Sequence, residues 1–156
     1  MNKGKMLLFV ILSTILSVSV GFSADKSFKT KLTGAAEVPP VTTKATGDVK
    51  FKLKEDGTEL VWELHVKNIE NTTADHIHRG MKGENGPPVA NLFTGPKKKG
   101  KYSGELAEGT IRAKDLTGDL MDKSLDELVK LIKSGDIYVN VHTDAHPDGE
   151  IRGQLK

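Results

Sequence analysis

Four of the five histidines fall in two short segments, Ala74-Asp75-His76-Ile77-His78-Arg79-Gly80 and Tyr138-Val139-Asn140-Val141-His142-Thr143-Asp144-Ala145-His146. In an extended strand alternate side chains share a face, so His76 and His78 project side by side while Ile77 turns inward. That spacing suits a chelate. His142 closes the second alternating segment, and His146 follows across a turn that also carries Asp144. Neutral imidazole is a ligand for zinc, copper, nickel and iron. If the two strands are neighbours, His76, His78 and His142 converge on a divalent transition metal, copper or zinc, with His146 or Asp144 as a fourth ligand. The competing reading is structural: the same rings hydrogen-bond loop backbone groups and hold the loop from Gly80 to Pro88 in place.

Other chemistries find less support. The chain has no cysteine, which removes thiolate catalysis, Cys-ligated zinc, iron–sulfur clusters and the blue-copper ligand set. It has no Gly-x-Ser-x-Gly, no phosphate loop and no His-Glu-x-x-His. Asp119 with Asp122 and Asp126 with Glu127 lie on or just before a helical segment, where solvated charge is the default. Asp144, Asp148 and Glu150 lack the spaced carboxylates of a calcium loop; their expected work is turn stabilisation and, for Glu150, pairing with Arg152 or Arg79. No residue qualifies as catalytic, and an enzyme is the less favoured class.

The elements that must position these residues alternate with a period of two. Phe28, Thr30 and Leu32 alternate with Lys29 and Lys31, and Val49, Phe51 and Leu53 with Lys50, Lys52 and Lys54. Asp56-Gly57 predicts a tight hairpin turn, after which Leu60, Trp62, Leu64 and Val66 face inward and His65 outward. Asn71-Thr72-Thr73 is a formal glycosylation acceptor, but in a bacterial host, which the short leader favours, it reads as only a polar turn. Three glycines and two prolines make Gly80 to Pro88 a loop. Val89–Phe93, Tyr102–Ile111, Asp136–His142 and Glu150–Leu155 complete about eight strands, with Lys97-Lys98-Lys99-Gly100-Lys101 as a solvated loop. One helix is expected, from a capping box of Ser124 and Glu127, through the apolar stripe Leu125, Leu128, Val129 and Ile132, to Gly135. Together these predict an all-β antiparallel sandwich, immunoglobulin-like or superoxide-dismutase-like, with one short helix.

Residues 1–24 have the form of a signal peptide: Lys3 and Lys5, an apolar run from Met6 to Val20, then Gly21, Ser23 and Ala24 for cleavage. The run is broken by serine and threonine and falls short of the ~20 apolar residues of a spanning helix, so no membrane span is expected after cleavage. Export to the periplasm or beyond the cell follows. Residues 25–156 then make one domain, long enough to build a core without disulfides. Removing Lys3 and Lys5 from the 23 basic residues leaves 21, equal to the 21 acidic ones, so no field attracts nucleic acid. A metal-free domain would instead meet a protein or glycan partner, through the loops Gly80 to Pro88 and Lys97 to Lys101.

Three stretches, in order, resemble the CHRD family, named after repeats in chordin. They are Leu32-Thr33-Gly34-Ala35-Ala36-Glu37-Val38-Pro39-Pro40-Val41; the Ala74–Gly80 segment with Gly86-Pro87-Pro88-Val89; and Tyr138–Thr143 with Pro147-Asp148-Gly149-Glu150-Ile151-Arg152-Gly153-Gln154-Leu155. The resemblance covers about Phe28 to Leu155. It implies an extracytoplasmic all-β binding or structural module rather than an enzyme, with Glu37, His76, His78, His142, Glu150 and Arg152 as the motif residues able to form a site. A weaker likeness, to copper–zinc superoxide dismutase, implies a copper redox protein, but the cysteine pair and a second full set of zinc ligands are missing.

Overall fold

A computed structural model describes residues 27–156; the leader expected over residues 1–24 lies outside them. Seven strands and one α-helix follow one another: β1 (Ser27–Thr33), β2 (Thr46–Leu53), β3 (Leu60–Arg79), β4 (Pro88–Phe93), β5 (Lys98–Ile111), α1 (Leu125–Ser134), β6 (Ile137–Thr143) and β7 (Ile151–Gln154). Short 3-10 turns fill parts of the connections.

β3 is the organising element. Its 20 residues would reach roughly 65 Å if flat, more than a domain of this size can hold. The strand therefore has to bend. Asn68 and Asn71 supply the bends, with φ of 54° and 53°, a region that asparagine tolerates better than most residues. The register against β5 shifts at both points, between Val66 and Ile69 and between Glu70 and Thr72. Asn71 is thus a bulge residue inside a strand, and its Oδ1 accepts the Gly100 N–H at 2.9 Å. The polar-turn reading of Asn71 gives way to this.

The bent strand closes a ring. β2, β1, β7, β6 and β3 are neighbours in that order, and β3 pairs β2 as well. β2 runs beside Leu60–Lys67 and β6 beside Thr72–Arg79, while β4 and β5 add to β3 outside the ring. All partners in these pairings are antiparallel. The predicted all-β class with one short helix stands, but the sandwich is corrected to a closed five-strand barrel with two further strands. Alternation reports one buried face per strand. It does not say whether that face meets a second sheet or its own sheet curled round, and the β3 bulges decide for the second.

The core holds Leu32, Val49, Leu60, Leu64, Ile77, Val139, Val141 and Ile151, all fully buried. Helix α1 adds Leu125, Leu128, Val129 and Ile132, each such burial contributing about 1.5–3 kcal/mol. Gly135 ends it with φ 83°. The capping box is absent as a side-chain device: Ser124 makes no side-chain cap bond, and Glu127 N–H bonds the Ser124 carbonyl instead. The hairpin turn expected at Asp56-Gly57 is present within a six-residue connection, Leu53 pairing Leu60 and the Gly57 N–H bonding the Lys54 carbonyl at 2.9 Å. Lys98 to Lys101 begin β5 rather than forming a loop.

Candidate metal centre

β3 and β6 are adjacent, the condition on which convergence depended. His76 pairs Asn140, His78 pairs Tyr138 and Ala74 pairs His142. Ile137, Val139 and Val141 of β6 enter the core, so Tyr138, Asn140 and His142 occupy the opposite face together with His76 and His78. The β6 side of that face is buried, all seven residues of the strand being so, while His76 and His78 on the β3 side are half-buried. The cover comes from the Gly80–Pro88 loop and from the segment around Glu37, which bond to it as follows.

His78 Nδ1 lies 2.9 Å from the Gly86 carbonyl and His142 Nδ1 lies 2.9 Å from the Pro147 carbonyl. A carbonyl only accepts, so both rings donate from Nδ1 and leave Nε2 bare. His142 Nε2 faces His76 Nδ1 at 3.0 Å. His78 Nε2 is buried with no partner at all. One ring nitrogen from each of the three histidines lies within 4.8 Å of the other two. A tetrahedral ion with bonds of about 2.0–2.1 Å would need its nitrogens roughly 3.3 Å apart, closer than the 4.8 Å within which the three lie. An ion held by His76 and His142 would take the place of the hydrogen they share, with His76 then carrying its hydrogen on the other ring nitrogen. Anchoring the far nitrogen of a ligand ring on a carbonyl is the usual second layer of such a site.

The electrostatics favour neutral imidazoles. Burial pushes His78 down to about 4, with the Gly86 hydrogen bond opposing and His76, His142 and Arg152 adding to the shift. Burial and then the neighbouring His142 lower His76. His142 is lowered chiefly by burial, against the Pro147 bond and Asp148. At neutral pH none of the three rings therefore carries the extra proton that would block a ring nitrogen.

The remaining site candidates separate from this cluster. Asp144 is salt-bridged to Lys97, and His146 bonds through its backbone to Thr143; the group of three within ligand distance comprises neither. Glu150 pairs with neither arginine. Its oxygens accept from Thr43 Oγ1 at 2.6 Å and Thr143 Oγ1 at 2.7 Å, while Arg79 reaches Asp119 at 3.6 Å.

Arg152 pairs instead with Glu37, Nε to Oε2 at 3.1 Å, with both residues buried. Asn140 Nδ2 donates to the same carboxylate, at 2.8 and 2.9 Å. Burial nevertheless lifts the Glu37 carboxyl to about 7, against the pull of Arg152 and Asn140. The guanidinium also bonds the Glu84 carbonyl at 3.0 Å and Asn85 Oδ1 at 2.5 Å, and lies 4.0 Å over the Tyr138 ring. Tyr138, Asn140 and Gly86 are contributors that motif reading passed over. Their signal was available for two of them, since Tyr138 and Asn140 share parity with His142 on one strand.

No curated protein and no solved structure is significantly similar to the chain. The CHRD domain model matches residues 28–155, a span that takes in Glu37, the three clustered histidines, Glu150 and Arg152. The chain belongs to the CHRD domain family.

Proposed function

We propose that this CHRD protein is an exported binding or structural module whose His76, His78 and His142 hold one divalent transition metal, copper or zinc. The observation that carries the reading is the buried, unpartnered Nε2 of His78, aimed from a ring already tied at its other nitrogen. A buried polar atom without a partner costs about 1–3 kcal/mol; a metal bond offsets that cost. Three imidazoles without carboxylate or thiolate form a borderline donor set suited to Cu(II) and Zn(II) rather than to calcium or magnesium. Export rests on the leader form of residues 1–24.

The test is metal content by mass spectrometry on tag-free protein from its native compartment, beside the His76→Ala/His78→Ala variant. About one equivalent of copper or zinc in the first and none in the second is expected. Metal in neither, with unchanged melting, makes the histidines loop anchors and turns the search to a protein or glycan partner. Turnover by the copper form would favour a redox role over a closed, inert site.

A further inference from the structure

We propose that Tyr138 is a positioning residue for His78, selecting the tautomer that leaves its Nε2 bare; the metal consequence rests on the reading above. His78 and Tyr138 stack with ring centroids 4.9 Å apart and planes 10° apart. β6 lies between β3 and β7, so Arg152 takes the other face of the same ring at 4.0 Å. The stack fixes ring planes but not which nitrogen of His78 carries the hydrogen.

The Tyr138 hydroxyl settles that through Gly86. It accepts the Gly86 N–H at 3.1 Å and donates to the Gly86 carbonyl at 3.3 Å. The carbonyl is thereby held where His78 Nδ1–H donates to it at 2.9 Å. Position 86 admits no side chain, since a Cβ there would fall 1.7 Å from the Arg79 carbonyl oxygen. Arg152 and Asn85 clamp the same loop, and Asn85 Nδ2 reaches the Val38 carbonyl at 2.9 Å. The chain thus spends a tyrosine, an arginine and a glycine on presenting one carbonyl to one imidazole. Outer partners of this kind typically alter metal affinity 10–100-fold.

The experiment compares wild type with Tyr138→Phe, which keeps the ring stack and removes one oxygen. Two readouts are taken: the His78 tautomer from ring ¹⁵N shifts of metal-free protein at pH 7, and zinc affinity by chelator competition. Wild-type His78 is expected as the Nδ1–H form, and Tyr138→Phe as a tautomer mixture binding zinc at least ~10-fold more weakly. An unchanged tautomer in Tyr138→Phe overturns the proposal, whatever zinc does; so does a mixed tautomer with undiminished affinity. If wild type takes no zinc, the metal reading falls and the tautomer alone decides the role of Tyr138. Should Tyr138→Phe fail to fold, Asn85→Ala, which loosens the same loop from an exposed position, is judged by the same two readouts.

Discussion

His142 Nε2 lies 3.0 Å from His76 Nδ1 although 66 residues separate them in the chain. Two neutral rings share one hydrogen across the β3–β6 pairing, and His78 brings a third nitrogen with no hydrogen bond of its own. Four consequences can be measured.

Zinc binding should tolerate mild acid. An ordinary histidine begins to lose metal to protons near its unperturbed value of about 6.5. All three rings here are held below that, His78 down to about 4. Calorimetric titrations at successive pH values are expected to show nearly constant affinity down to pH 6.5, then a progressive loss toward pH 4. A tenfold loss already between pH 7.5 and 6.5 would rule out this buried set as the ligands.

Stability of the metal-free protein should carry two opposed pH dependences. His78 is depressed to about 4, so between about 4 and the unfolded value near 6.5 the unfolded chain binds more protons. That contribution is complete above 6.5 and is lost as pH falls. Glu37 is raised from 4.5 to about 7, so its contribution is present below 4.5 and is lost as pH rises toward 7. Glu37→Gln removes only the second. Urea midpoints of the variant relative to wild type should therefore climb across that window, and a pH-independent difference would mean that Glu37 titrates normally.

Asp75 is fully buried with both carboxylate oxygens unpartnered. Burial raises it well above its usual value, and the His76 backbone N–H, which pulls the other way, does not reach hydrogen-bonding geometry. Asp75→Val introduces a strand-forming side chain of similar size and removes the orphaned oxygens. Chemical denaturation at neutral pH should show a gain of about 1–3 kcal/mol, larger as pH rises because the buried acid then faces ionisation. Destabilisation would reveal a partner for this carboxyl.

Gly149 has φ of 129°, and a Cβ there would sit 2.4 Å from Asn140 Nδ2 and 2.8 Å from Glu37 Oε1. Gly149→Ala should cost about 1–3 kcal/mol in backbone strain alone and displace the Asn140–Glu37 pair besides. Thermal melting checks the first effect. The second predicts that Arg152 loosens as well, visible as faster amide exchange at Asn85 and Gly86.

Much of this protein was legible along the chain. Leu60, Trp62, Leu64 and Val66 announce a strand because burying one face of extended backbone imposes a period of two, and His76 with His78 announce two imidazoles on one face for the same reason. Leu125, Leu128, Val129 and Ile132 mark the helix by spacing, and Gly135 its end by left-handed backbone. These are local properties, set by each residue and its near neighbours.

The tertiary structure decided what depends on distant partners. Asn68 and Asn71 look like turn residues in isolation, yet inside β3 they bend one strand so that β2 and β6 both pair with it and close a barrel. Glu150 looks like a partner for Arg152, but strand order hands Arg152 to Glu37, because a buried guanidinium and a buried carboxylate must find each other while Glu150 is satisfied by two hydroxyls. Asp144 and His146 share a segment with His142 and still fall outside the cluster, since side-chain direction after the strand ends is set by the turn. The bare Nε2 of His78 exists only because a loop glycine eight residues on presents its carbonyl to Nδ1, a relationship that no spacing rule encodes.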